Sequence, residues 1–265
     1  RGTRLAGAPA CIVFAGSDSK VGTTMTVQSI AEHIVASDRS QRVLLAGFHG
    51  RSGTDYAGGA VATLDQIRIP LEHGLLSREA LLDVCRRNQR LCQLGGISDR
   101  LDRRRYGPEV TGRILDLLGD AFDLILIDAG NDLDDGLAVG AIRRADEGVL
   151  LLAQCESALR HHEEAAPLAR RLGFAPRLVV LNRYRDKDPY DLRYVAKRLE
   201  RPTDQILRLS ESPADRSAEK DSRSLYAVGG SRYREEIRTI ADRVVAAGPA
   251  APDGEKRRRS WNPFI

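Results

Sequence analysis

Residues 11–25 read Cys11-Ile12-Val13-Phe14-Ala15-Gly16-Ser17-Asp18-Ser19-Lys20-Val21-Gly22-Thr23-Thr24-Met25, and this stretch decides the fold. Its first five residues form a continuous apolar run ended by Gly16, the pattern of a buried strand. After the polar loop Ser17 to Thr23, the segment Thr24 to Ala36 carries Val27, Ile30, Ala31, Ile34 and Val35 at three- and four-residue spacing. That periodicity predicts an amphipathic helix. A small-residue loop between a strand and a helix aims free N–H groups and the positive end of the helix dipole at one point. This is anion-binding geometry. The standard phosphate loop is G-x-x-x-x-G-K-[ST]. With that pattern set on Gly22, Thr23 stands where the phosphate-binding lysine belongs and Thr24 where a hydroxyl meets magnesium. An ordinary turn with Thr23 as N-cap has the same local appearance, so the loop alone does not decide the chemistry.

The rest of the chain repeats the strand-then-helix alternation. Strands are expected at Arg42–Phe48, Arg90–Leu94, Phe122–Ile127, Gly148–Ala153, Arg177–Leu181 and Gln205–Leu209. Between and after them, helical periodicity runs through residues 61–92 with a break at Pro70. It returns at Glu109–Leu118, Leu137–Arg144, 156–172, Asp191–Leu199 and Arg232–Ala247. Uninterrupted apolar strands alternating with amphipathic helices predict one α/β domain, a mostly parallel twisted sheet with helices on both faces. It is expected to span residues 1–247. The Pro/Gly/charge-rich residues 248–265 are expected to form an unpacked tail.

Composition excludes several classes. With 42% apolar and 29% charged residues, global disorder is not expected. No run approaches the ~20 apolar residues of a membrane-spanning helix. The balance of 41 Lys+Arg against 37 Asp+Glu is too even to imply a nucleic-acid partner without clustering. Four scattered cysteines make no disulfide framework, and the Cys85/Cys92 spacing is unlike a zinc-site CxxC. His161-His162 on a helix cannot both face one ligand, and no Ser/His/Asp or Cys/His set stands in a nucleophile context. The expectation is a cytoplasmic protein with reduced thiols. The opening residues run straight into a strand pattern rather than a leader. A start at Arg1 rather than Met points to a segment upstream.

Five stretches taken together resemble a known family: residues 19–35 (SKVGTTMTVQSIAEHIV), 42–48 (RVLLAGF), 122–130 (FDLILIDAG), 145–154 (ADEGVLLLAQ) and 178–183 (LVVLNR). They are similar to the deviant Walker A ATPases of the MinD/ParA group, and most like its CpaE/TadZ-like branch, which often lacks the usual loop lysine. The resemblance implies a phosphate-loop NTPase-like domain binding ATP or ADP with Mg2+. It places Ser19, Lys20, Val21, Gly22, Thr23, Thr24 and Met25 around the phosphates and Asn182 at the adenine. It also implies that Asp128 is the Walker B carboxylate, catalytic through metal or water positioning, and that Thr24 and Asp128 hold the Mg2+.

The departures bear on activity. The family's signature lysine aligns with Asp18, the first two loop glycines align with Ser19 and Lys20, and the acidic end of the second strand is replaced by Ala46-Gly47-Phe48-His49. Losing one well-placed charge of this kind costs on the order of 10²–10³ in rate. Lys20, if bent toward the phosphates, would compensate in part. The function expected is therefore that of a positioning or assembly protein with a degenerate loop, binding adenine nucleotide weakly or structurally with little hydrolysis. It would act as a homodimer through a protein partner, from the cytoplasm or recruited to the membrane or a cell pole. The alternatives are an active ParA/MinD-type ATPase for partitioning and a nucleotide-free pseudo-ATPase docking scaffold.

Two basic segments stand apart. Arg86-Arg87-Arg90 and Arg100-Arg103-Arg104-Arg105 form either a solvated, ion-paired face or a surface for DNA, a membrane or an acidic protein. The tail Lys256-Arg257-Arg258-Arg259, followed by Trp261, Phe264 and Ile265, has the composition of a segment that docks on a partner.

Overall fold

A computed structural model describes residues 10–38, 41–50, 62–86, 88–118 and 121–247. The elements run β1 (Ala10–Gly16), α1 (Thr23–Ser37), β2 (Val43–Gly47), β3 (Ala62–Thr63), α2 (Leu64–Glu72), α3 (Arg78–Cys85) and β4 (Leu91–Gly95). They continue with α4 (Pro108–Leu118), β5 (Leu124–Asp128), α5 (Gly136–Arg144), β6 (Glu147–Ala153), α6 (Glu156–Leu172) and β7 (Leu178–Tyr184). The chain then forms α7 (Leu192–Arg198), β8 (Ile206–Ser210), α8 (Asp215–Lys220), α9 (Leu225–Val228) and α10 (Ser231–Ala247). A 3-10 turn over Arg100–Arg105 precedes α4.

The eight strands form one sheet in the order β3-β4-β2-β5-β1-β6-β7-β8, and every ladder is parallel. The alternation of β1 shows why both faces must be covered. Ile12 and Phe14 join a core with Val27, Ile30 and Ile34 of α1 and Ile237, Ile240 and Val244 of α10. Cys11, Val13 and Ala15 point the other way, into a core with Leu64, Ile114, Leu118 and Leu137 from α2, α4 and α5. A smaller cluster unites Leu150 and Leu152 of β6, Val179 and Leu181 of β7, Leu159 of α6 and Val195 of α7. A strand buried on both sides reads as unbroken apolar sequence, which is why these strands were legible.

All strands point the same way, so Gly16, Gly47, Asp128, Ala153 and Ser210 end at one edge. The chain reverses its direction of travel across the sheet at β1, between β5 and β6. Ligands in open α/β sheets bind outside the carboxyl ends of the strands at such a reversal.

Three local outcomes differ from the expectation. Pro70 lies inside α2 rather than at its edge, and the break in the helical pattern falls two residues later, after Glu72; the Pro70 carbonyl accepts Leu75 N–H (2.8 Å) and Leu76 N–H (3.1 Å) as the chain leaves. The strand β7 extends through Tyr184, so Asn182 lies within it, paired with Leu209 of β8. The two-residue β3 and the short helices α8 and α9 carry too little periodicity to be read from sequence. All four cysteines are free, and burial pushes the thiols of Cys11 and Cys85 up to about 12, which keeps them unreactive. Residues 248–265, with the basic and aromatic tail, lie outside the described residues.

Candidate functional site

The loop after β1 is tied to the sheet on both sides. Gly16 N–H donates to the Gly130 carbonyl (2.7 Å) and Ser17 N–H to that of Leu151 (2.9 Å). Lys20 (φ 63°) and Gly22 (φ 87°) then turn the backbone through the left-handed region and into α1. Gly22, not Thr23, is the N-cap; no side chain caps the helix and no acidic residue stands in its first turn. The first-turn N–H groups are therefore not claimed by a side-chain cap, as an anion site requires. Thr23 is buried against β1: a Cβ built on Gly16 would lie 2.6 Å from its hydroxyl.

Three contacts brace the loop. Asn182 donates its side-chain amide to the Val21 carbonyl (2.7 Å), while its Oδ1 accepts the Arg183 N–H (2.9 Å). The Arg183 guanidinium spans the Lys20 carbonyl (3.3 Å) and the Asp215 carboxylate (2.9 Å). Asp18, at the position of the expected signature lysine, faces His161 of α6 at 2.9 Å and accepts the Ser19 N–H.

Beneath the loop lies Asp128, at the end of β5 and only 3% exposed. The Thr24 hydroxyl donates to its Oδ2 at 2.5 Å, and Gly130 N–H donates to its Oδ1 at 2.9 Å. His49, two residues beyond β2, places Nε2 3.6 Å from the same Oδ2. Burial pushes this carboxyl up, but His49, the Thr24 hydroxyl and the Gly130 amide together outweigh burial and hold it below the usual carboxylate range. Asp128 is thus ionised at neutral pH. A hydroxyl and a carboxylate oxygen side by side suit a hard cation such as Mg2+.

The cleft above has a volume of about 420 Å³, within the range of small-molecule sites. It is lined by Asp18 to Thr26, His49, Gly130, Asn131, Asn182 and Arg183, and at its far end by Ser210, Ser212, Asp215, Glu219, Leu225 and Tyr233. The expected residues Ser19 to Met25 and Asn182 all line it, and Asp128 lies directly behind Thr24. Sequence reading assigned no role to His49, to the Asp18–His161 pair or to the Arg183–Asp215 pair. His49 had a signal, since it falls just after the strand whose end is acidic in the resembling family. The two pairs join residues 143 and 32 positions apart and had none.

Comparison with solved structures matches this architecture. A ParA family ATPase from Chlorobium tepidum TLS superposes with a TM-score of 0.74 at 17% identity, covering 88% of this chain and 98% of that one. The fold is that of the ParA/MinD ATPases. The MinC:MinD cell division protein complex of Aquifex aeolicus gives a TM-score of 0.67 at 17% identity, covering 93% and 99%. A variant McdA of Cyanothece in complex with ATP gives 0.69 at 15% identity, covering 92% and 99%. No protein-family model and no curated protein matches the chain.

Within this ParA/MinD fold, several basic residues are engaged locally. Arg90 donates to the carbonyls of Val35 (2.5 Å) and Asp38 (3.2 Å) at the end of α1. Arg103 binds Asp132, Asp134 and Asp135 in the segment after β5, while Arg86 and Arg105 pair with Asp83 and Asp102. Among the described residues no group of three His, Cys, Asp or Glu side chains forms a metal cluster, and no helix is long and apolar enough to cross a membrane.

Proposed function

We propose that this chain is a positioning or assembly protein of the CpaE/TadZ-like kind, binding adenine nucleotide with Mg2+ in the cleft lined by the Ser19–Met25 loop and turning it over slowly. The observation that carries the reading is the Thr24–Asp128 contact at 2.5 Å, under a helix start left without a side-chain cap. Backbone N–H groups from Lys20 to Thr24 would cradle the phosphates, and Thr24 with Asp128 would hold the cation. Bound Mg2+ would supply charge neutralisation at the phosphate oxygens. Asn182 would act in nucleotide binding by setting the height of the loop through Val21.

Slow turnover is supported by what lines the cleft. Its carboxylates Asp18, Asp215 and Glu219 outnumber the cations Lys20 and Arg183, and Arg183 is already paired with Asp215. Phosphoryl transfer needs positive groups aimed at the developing charge, and Thr23 supplies none. A protein that holds nucleotide without fast hydrolysis acts through what it binds, so a homodimer and a protein partner belong to this reading. Among proteins of this fold, the MinC:MinD complex is an example of a protein partner and the McdA complex an example of bound ATP. Calorimetry of the full chain with ATP and ADP, with and without Mg2+, tests the proposal: Mg2+-dependent binding is expected, and heat-silent titrations in every condition would overturn it.

A further inference from the structure

The cleft contains one group that the proposed chemistry leaves unused. His49 is buried, lines the cleft, and points Nε2 at the same Asp128 oxygen that accepts the Thr24 hydroxyl. Its placement is built in. Phe48 N–H is held by the Asp128 carbonyl (2.8 Å), which fixes the backbone just before it. On the other side Gly130 lies so close that a Cβ there would stand 3.0 Å from His49 Cβ and 3.3 Å from Cγ. Gly130 has φ 65°, so the absence of a side chain at that position both permits the turn and seats the imidazole.

We propose that His49 is a third protein donor to the nucleotide-bound cation, together with Thr24 and Asp128, and that this site favours Mn2+ over Mg2+. The inference rests on the nucleotide-binding reading given above. Two donors at about 2.1 Å from one ion in cis positions of an octahedron lie about 3 Å apart, and about 3.4 Å apart in a tetrahedron. The His49–Asp128 separation of 3.6 Å is about 0.6 Å wider than the octahedral spacing, a gap of the size that side-chain rotation can close around an ion. The Thr24–Asp128 pair, at 2.5 Å, opens by a similar small amount. Mg2+ keeps to oxygen ligands and dehydrates reluctantly, whereas Mn2+, an oxygen-preferring ion of the same octahedral habit, tolerates one imidazole nitrogen in its shell better. Three protein donors on one side leave the remaining positions to phosphate oxygens and water, the usual partition for a nucleotide-bound metal.

The test uses the full chain and Mn2+ itself. Calorimetry with ADP is expected to give tighter binding in Mn2+ than in Mg2+, and His49→Asp, which replaces nitrogen by oxygen, is expected to reverse the order. Loss of the Mn2+ preference should be about 10–100-fold, the scale for removing a group that tunes a metal site. Electron spin-echo modulation of the wild-type Mn2+–ADP complex should carry the coupling of a directly bound nitrogen, a readout that does not depend on any variant folding. Equal ADP affinity in both metals with no nitrogen coupling would overturn this inference while leaving the nucleotide reading intact. No ADP binding with either metal would overturn the nucleotide reading, and this inference with it.

Discussion

Asn182 of β7 holds the loop after β1 from below: its amide reaches the Val21 carbonyl at 2.7 Å, and its Nδ2 fills the space a Cβ on Gly22 would need. This contact joins residues 161 positions apart and sets the height of the loop backbone above Asp128. It also gives Asn182 a role distinct from touching a base.

The consequence is measurable in base selectivity. Asn182→Ala should weaken ATP and GTP binding by the same factor, because the loop serves both. It should also cost about 1–3 kcal/mol of stability by leaving the Val21 carbonyl without its partner. Calorimetry with the two nucleotides, beside a denaturant titration, checks this; a variant that loses ATP but keeps GTP would assign Asn182 to the adenine instead.

Gly22 is the position least able to change. Its φ of 87° costs a side chain about 1–2 kcal/mol, and Asn182 leaves no room for one. Gly22→Val is therefore expected to abolish nucleotide binding and lower the melting temperature. An ATP affinity equal to wild type would remove the loop from the site.

Thr23→Lys should raise nucleotide affinity, since it returns a cation to the position facing the phosphates. Wild-type turnover is expected well below the roughly 1–100 s⁻¹ usual for kinases. A phosphate-release assay measures it, and a wild-type rate inside that range would promote the active ATPase reading.

Asp65 predicts an acid limit to stability. Burial pushes its carboxyl up, but the Tyr106 hydroxyl (2.5 Å) and the Ser98 N–H (2.5 Å) outweigh this and hold it below the usual value. A carboxyl lowered in the folded state stabilises above its unfolded pKa of about 3.9, and that contribution fades as pH falls through the folded value. Tyr106→Phe should cost about 0.5–1.5 kcal/mol near neutral pH. It should also raise the Asp65 pKa in an NMR titration, which an unchanged titration curve would contradict.

Truncation after Gly248 should leave the melting temperature within a few degrees. The inward face of α10, Ile237, Ile240, Ala241 and Val244, is buried in one core with residues of α1 and the sheet. Assembly should weaken, because Trp261, Phe264 and Ile265 would supply roughly 1.5–3 kcal/mol per buried large side chain to a partner. Light scattering of the truncated chain decides it.

The sheet and its helices were legible in the sequence because burial on both faces leaves unbroken apolar runs, as in FDLILI and GVLLLA. Amphipathic helices leave a 3.6-residue period, as in Arg232–Ala247. Residues Ser17–Thr24 and Asp128 were legible as candidates because loop composition and a carboxylate at a strand end are local features. Pro70 marks the break in the helical pattern to within two residues: it removes one intrahelical hydrogen bond, and α2 ends just beyond it at Glu72. What tertiary structure alone decided are the pairings: Asn182 with Val21, Arg183 with Asp215, Asp18 with His161, and His49 with Asp128. Each joins groups from different elements or loops, distant in the chain. Strand order in a parallel sheet is set by how the helices pack, not by any residue's immediate neighbours, so the partner across the cleft leaves no mark in the sequence around either one.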